Sequence, residues 1–294
     1  MKCDMHVHSY FSGPCTTPPA SAFCRESYSD PEEVFEALER HDMNLFTLTD
    51  HDSIEGSERL RHYANFFLSE ELTCQMPSGT RIHIGVYDLQ ERDHVRIQHR
   101  RNDLPALLMY LSERQLFFSV NHVFSSLTGR REHEDFDWFA QYFPAVETRN
   151  GQMSAKANAH AARLARCWRK AGTGGSDAHA LRSVGTTYTQ VHGARSKQEF
   201  FDGLKDGRGR VRGESGCYTK LTRDVFLIAL EMMREKPWTV LLAPLAVAVP
   251  AFTYWNYREE RAFVRRWSAE VFGQSAGQHR IPSASIPNAA EEWG

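Results

Sequence analysis

Along this chain, apolar strand-like runs end again and again in a histidine or a carboxylate, and this pattern restricts the fold more than any other feature. The first case is Asp4-Met5-His6-Val7-His8, which sets an aspartate and two histidines at every second position. Alternate side chains of a β-strand point to one face. The spacing therefore predicts that all three project together, and two adjacent imidazoles make half of a metal site. Residues 44–49 then empty into Asp50-His51-Asp52, and Glu71 opens the short run 71–74. His83 lies within 81–87, residues 115–120 lead to Asn121-His122, 145–146 to Glu147, and 173–176 to Asp177-Ala178-His179. A lone histidine at a strand end is ordinarily structural. So many at successive strand ends point to a metal centre. Imidazole together with carboxylate suits zinc, iron or manganese rather than calcium or magnesium.

Between these runs the sequence reads as helix. Ser29-Asp30-Pro31-Glu32-Glu33 is a helix start, with a polar cap, proline in the first turn and acids at the positive end of the helix dipole. Helices are predicted at about 30–41, 57–67, 103–114, 154–170, 197–205 and 222–234, and strands at 2–8, 44–49, 71–74, 81–87, 115–120, 145–147, 173–176 and 186–191. Residues 10–29 read as a long loop and 125–137 as a polar stretch. Strands alternating with helices, with polar clusters where the strands end, describe a barrel-like α/β enzyme. The length of 294 residues accommodates such a unit plus an extension.

A net charge of −2 gives no overall basic field for nucleic acid. A local patch from Arg96, Arg100, Arg101, Arg130 and Arg131 stays open. The six cysteines form no CxxC pair, and the start MKCDMHVH has no apolar signal core. Reduced thiols in a cytoplasmic protein are expected. Composition changes after 216. Residues 238–257 contain no charged side chain, carry aromatic residues at both ends, and are just long enough to cross a hydrocarbon core. Two readings stand: membrane association through 238–257, or a helical hairpin packed on the barrel. Pro244 and Pro250 favour the packed one. The Ser/Ala/Pro-rich tail 274–294 is expected to be disordered. The chain divides into a barrel at 1–215, a helical extension at 216–273 and this tail.

The segments DMHVHS, TLTDHDSIEG, EELT, RIHIGVY, NHV, ETRNG and GGSDAHA resemble, in order and approximate spacing, the motifs of the polymerase and histidinol-phosphatase (PHP) family over about residues 1–215. The resemblance implies a distorted (β/α)7 TIM-like barrel with two or three divalent transition metals (Mn, Zn or Fe) and phosphoesterase activity. A hydroxide bridging two metals would be the nucleophile. Position by position, His6, His8, Glu71 and Asp177 would bind one metal. Glu71, His83 and His122 would bind a second, with Glu71 as the bridge, and His51 and His179 would belong to a third. Asp50 would orient His51, assist as a base or, in the commoner case, be a carboxylate that only supports a ligand, and His179 would join in catalysis. Many members carry a histidine or aspartate shortly after HxHS; here Ser12-Gly13-Pro14-Cys15 has neither. The third site is then weak, absent, or held by another residue such as Cys15. The expected substrate is a small phosphorylated metabolite or nucleotide, and Arg149 is a candidate for holding its phosphate. The alternatives are an exonuclease or oligonucleotide phosphodiesterase acting at a nucleic-acid end, and a non-catalytic metal-binding regulatory or membrane-associated module.

Overall fold

Residue patterning places most elements where local rules put them, and long-range pairing decides the rest. The structure is a computed structural model that describes residues 1–15 and 20–273; the tail expected to be disordered lies outside the described residues. β1 (Lys2–Cys3) is followed by an extended segment and by the loop that leads to α1 (Pro31–Arg40). That helix starts on Asp30, whose side chain accepts from Glu32 N, and buries Val34, Phe35 and Leu38. Next come α2 (Glu55–Leu60), β2 (Ser69–Gln75), β3 (Arg81–Tyr87), α3 (Glu91–Gln98) and α4 (Leu104–Glu113). α4 buries Leu104, Leu107, Leu108 and Leu111, the spacing of one helix face. β4 (Phe117–Val120), α5 (His133–Tyr142), β5 (Ala145–Asn150), α6 (Ala155–Cys167) and β6 (Ala171–Gly175) follow. The unit ends with β7 (Thr187–Val191), α7 (Lys197–Lys205) and β8 (Gly209–Gly213), and the extension with α8 (Tyr218–Glu235), a 3-10 run Pro237–Ala248 and α9 (Val249–Gly273).

The strands form two sheets, ordered β1-β7-β8 and β2-β3-β4-β5-β6, and no closed seven-stranded barrel is found among the described residues. The expected barrel is corrected in two respects. β2, β3 and β4 pair antiparallel, and only β4-β5-β6 are parallel. The strands predicted at 2–8 and 44–49 are also mostly irregular. Val7 makes a single parallel bridge to Ala178, and Phe46 one to Phe66. These extended segments nevertheless connect the sheets. Thr49 N donates to Val7 O, Asp177 N to His6 O, His8 N to Ala178 O, and Glu71 N to Asp50 O. Asp4 explains the early end of β1, since its carboxylate accepts the backbone N–H groups of His6, Ser176 and Gly185. One buried side chain thus ties three segments together. At Gly175 a Cβ would collide with the His6 backbone, so β6 can approach this segment closely only as glycine.

The extension is two things at once. Its far end packs into the main core: Val264 and Trp267 are buried with Phe136 and Phe139, and Ser154 N donates to Glu260 at 3.3 Å. Its near end does not. Pro237 and Pro244 lie within the 3-10 run and Pro250 follows at once, so ordinary α-helical bonding is interrupted. There Leu241 is 79% exposed and Val247 86%, with Trp238, Val240, Leu245, Phe252 and Trp255 exposed beside them. The hairpin packed on the barrel is therefore not what 238–257 forms; the packed part comes later, in the second half of α9.

A chain ending at Gly216 should consequently aggregate, because losing buried Val264 and Trp267 alone costs on the order of 5 kcal/mol, comparable to a domain's whole stability. Solubility and a cooperative melt of the shortened chain, read by circular dichroism, would contradict this packing.

Candidate metal centre

The histidines and carboxylates named from sequence converge at one end of the strands. His6 and His8 follow β1, His51 follows the extended 44–49 segment, Glu71 and His83 lie in β2 and β3, His122 follows β4, and Asp177 and His179 follow β6. Two of these positions need unusual backbone. His122 (φ 27°) and Asp177 (φ 50°) turn through the left-handed region directly after their strands, a conformation that clusters at functional sites.

His6 Nε2 and His8 Nε2 are 3.1 Å apart. Glu71 Oε2 lies 3.1 Å and 3.5 Å from them, and Asp177 Oδ1 3.5 Å and 3.3 Å. Four donors around one cation at about 2.1 Å stand about 3.4 Å from each other in a tetrahedron. His6, His8 and Asp177 form one close triad with that spacing, and Glu71 Oε2 stands at the same distance from both imidazoles. The other Glu71 oxygen, Oε1, lies 3.2 Å from His122 Nε2 and 3.5 Å from His83 Nδ1. His51 Nδ1 also lies 3.3 Å from Oε2, so one oxygen of this buried carboxylate faces His6, His8 and His51 and the other His83 and His122. The buried Nδ1 atoms of His51 and His83 have no hydrogen-bond partner among the described residues, as befits donors aimed at a cation rather than at each other.

Neighbouring groups fix which ring nitrogen is free. His6 Nδ1 meets Glu147 Oε1 at 2.8 Å; an acceptor-only carboxylate requires Nδ1–H there, leaving the Nε2 lone pair for a metal. Glu147 also accepts from His122 N and Asn150 Nδ2. Around His8, Ser12 Oγ donates its single proton to Asp50, so His8 Nδ1–H must donate to Ser12 Oγ at 3.0 Å. Asp50 accepts from Ser9 N, Ser9 Oγ and Ser12 Oγ. It acts on His8 through Ser12, the contacts of a supporting carboxylate, and forms no hydrogen bond or ion pair with His51 among the described residues. Asn121 Nδ2 donates to Glu71 Oε1 at 2.9 Å and is held in turn by Ser119 Oγ.

The electrostatics favour a cation. Burial would raise the Glu71 and Asp177 carboxyls, but the surrounding histidines hold both well below the usual carboxylate range. Burial would lower His6, yet Glu71, Asp177 and Glu147 outweigh it and raise the imidazole well above its ordinary value. The pocket demands positive charge at that point. Burial and then His179 push His8 down to about 4, and burial holds His51 well below its ordinary value, so both are neutral ligands near pH 7.

Other expectations land elsewhere. Asp4 is the backbone clasp described above and not a ligand; burial raises it to about 6. Arg149 Nη1 donates to Gly213 O. Arg131 is buried, donating to Arg81 O and Thr128 Oγ1, and Arg101 pairs with Asp52 at 2.7 Å, so two arginines of the candidate basic patch are structural. Cys15 N donates to Cys24 O, and the adjacent Cys15 thiol, with burial, raises the Cys24 thiol. Sequence reasoning missed Glu26, whose Oε2 lies 3.4 Å from His51 Nε2. It also missed a cavity of about 340 Å3 beside His179, lined by Tyr28, Leu181, Arg182, Leu227, Ile228 and Arg234. Nothing local signals either one: the first sits in an irregular loop, and the second needs α8 from the extension.

Comparison with known proteins agrees with this architecture. The family profile described as PHP-associated matches residues 155–208, which include Asp177 and His179. A two-domain protein from Bacteroides vulgatus containing a predicted PHP-like metal-dependent phosphoesterase superposes with a TM-score of 0.52 at 18% identity, over 73% of this chain and 65% of that one. This chain thus spans just under two thirds of its length. PsfC from Pseudomonas syringae superposes with a TM-score of 0.53 at 15% identity, over 79% of this chain and 98% of its own. At these identities the likeness is one of fold. No curated protein is significantly similar in sequence.

Proposed function

We propose that this chain is a PHP-like metal-dependent phosphoesterase that hydrolyses a small phosphomonoester, a reading supported by the PHP-associated profile match over residues 155–208 and by the likeness of fold. The observation that carries this reading is Glu71, whose two oxygens face different imidazoles at 3.1–3.5 Å, His6, His8 and His51 on one side and His83 and His122 on the other. Two cations held there would supply Lewis-acid charge to a phosphoryl oxygen and activate water near neutral pH. The chain's own residues do the rest. Glu147 and Ser12 keep His6 and His8 in the ligating tautomer, and Asn121 aims the bridging carboxylate. His179 stands between the ligand set and the cavity, 3.3 Å from Asp177, where the substrate would reach the metals. The cavity combines Arg182 with Leu181, Leu227 and Ile228, which suits a small phosphorylated molecule with an apolar part. The structural engagement of Arg131 and Arg101 weighs against the nucleic-acid end.

A panel of phosphomonoesters, a diester and a short oligonucleotide, assayed with added Mn2+ and with chelator, tests this. Monoester hydrolysis that chelation abolishes is expected, with a loss of more than about 100-fold in Glu71→Gln. Hydrolysis confined to the oligonucleotide, or surviving chelation, would contradict it.

We also propose that the exposed apolar segment 238–257 seats on a lipid bilayer. Only 11% of its most apolar stretch is buried, and its aromatic ends suit the interface, bordered by Arg234, Lys236, Arg258 and Arg261 interleaved with Glu235, Glu259 and Glu260. The full chain should float with phosphatidylcholine–phosphatidylserine vesicles. A variant with Leu241, Leu245 and Val247 replaced by serine should not float, while keeping its melting temperature. Equal flotation of both, or none of either, would refute it.

A further inference from the structure

We propose that the substrate is an amphiphile: a phosphomonoester of an alcohol whose hydrocarbon chain stays in the bilayer while its phosphate reaches the metal centre. The proposal rests on both readings above, the phosphoesterase and the bilayer-seated segment 238–257. One helix joins them. Leu227, Ile228, Glu231 and Arg234 of α8 line one wall of the cavity beside His179, the spacing of a single helix face. Only four residues past Arg234 stands Trp238, 55% exposed, where the apolar segment begins. The opposite wall leads to the same place. Tyr28 lines the cavity, and the loop before it is fastened to the root of the segment. Lys236 Nζ donates to Phe23 O at 2.9 Å, Arg25 Nε donates to Glu235 Oε1 at 3.2 Å, and the rings of Phe23 and Trp238 meet edge to face at 6.0 Å. The cavity therefore lies between the metal centre and the base of the bilayer-seating surface.

The lining disfavours a highly charged molecule. Arg182 and Arg234 are balanced by Glu33 and Glu231, and Arg234 is already paired with Glu231. The walls thus carry no surplus positive charge for a second phosphate or a carboxylate. What remains is apolar: Leu181, Leu227, Ile228 and the Tyr28 ring. At about 340 Å3 the space is near the lower end of ligand cavities, about 300–1,000 Å3. It takes the phosphate-bearing end and the first carbons. The rest of a long chain has to continue outside, on the side where Leu241, Leu245 and Val247 are exposed. In the reaction, water adds at phosphorus and the bond from phosphorus to the alcohol oxygen breaks. That oxygen takes up the proton which the water gives up, so the alcohol stays in the bilayer and inorganic phosphate leaves to solvent.

Phosphate release by the full chain equilibrated with Mn2+ tests this, on soluble alkyl phosphates from ethyl to octyl and on hexadecyl phosphate carried in phosphatidylcholine vesicles. Along the soluble series kcat/KM should rise about 4-fold per added carbon while the cavity fills. Ile228→Asn and Leu181→Ser, each with a cooperative melt, should flatten that rise to below about 2-fold; if either fails to fold, the series on the unaltered chain still decides. Vesicle-borne hexadecyl phosphate should be hydrolysed at least about 10-fold faster by the unaltered chain than by the variant with serine at 241, 245 and 247. A flat or falling series with hydrolysis throughout would overturn the substrate class and leave the phosphoesterase reading standing. No hydrolysis of any monoester would overturn both. Hydrolysis of the soluble esters alone, or equal vesicle rates in the serine variant, would overturn the bilayer-held substrate, and flotation of the same vesicles shows whether the seating failed with it.

Discussion

A single buried carboxylate, Glu71, 1% exposed and facing five imidazoles, is the interaction on which the rest depends. Lone pairs directed at one another across 3.1–3.5 Å inside a protein are unfavourable unless positive charge lies between them. The surrounding structure spends hydrogen bonds on keeping those lone pairs aimed inward. Glu147, the Ser12–Asp50 pair and Asn121 each hold one ligand, and each is itself held by further bonds. Such layering fixes geometry before any ion arrives, which is what a site for two charges at close range requires.

The fold serves this arrangement more than it serves barrel symmetry. Two sheets meet along extended, irregular segments that carry His6, His8 and His51, and those segments bond to each sheet through a handful of amides. Asp4 clasps three of the strands of chain at their crossing. The left-handed residues His122 and Asp177 let β4 and β6 end abruptly and turn their side chains toward Glu71. Regular pairing is given up where the ligands sit.

Much of this was legible in the sequence. The ligands His6, His8, Glu71, His83, His122 and Asp177 announce themselves by position at the ends of apolar runs, and the helix starts at Asp30 and Ser154 by their caps. What escaped depends on contacts far apart in the chain. The strand predicted at 2–8 stops at Cys3 because Asp4 bonds to residues beyond 170. Helix α5 lay hidden in a stretch that reads as polar, since it buries only Phe136, Phe139 and Asp135. Glu26 has no periodic neighbour to mark it. The apolar segment 238–257 was visible, but its exposure was not, because whether it packs depends on where α9 begins to meet Phe136 and its neighbours.

The central claim is that Glu71 bridges two cations, and the most direct measurement is the electron paramagnetic resonance spectrum of the Mn2+-loaded protein. Two ions sharing one carboxylate about 3.5–4 Å apart couple magnetically. The account predicts an exchange-coupled multiline spectrum in the unaltered chain and an isolated six-line Mn2+ signal in Glu71→Gln. An isolated six-line signal alone in the fully loaded, unaltered protein would contradict it.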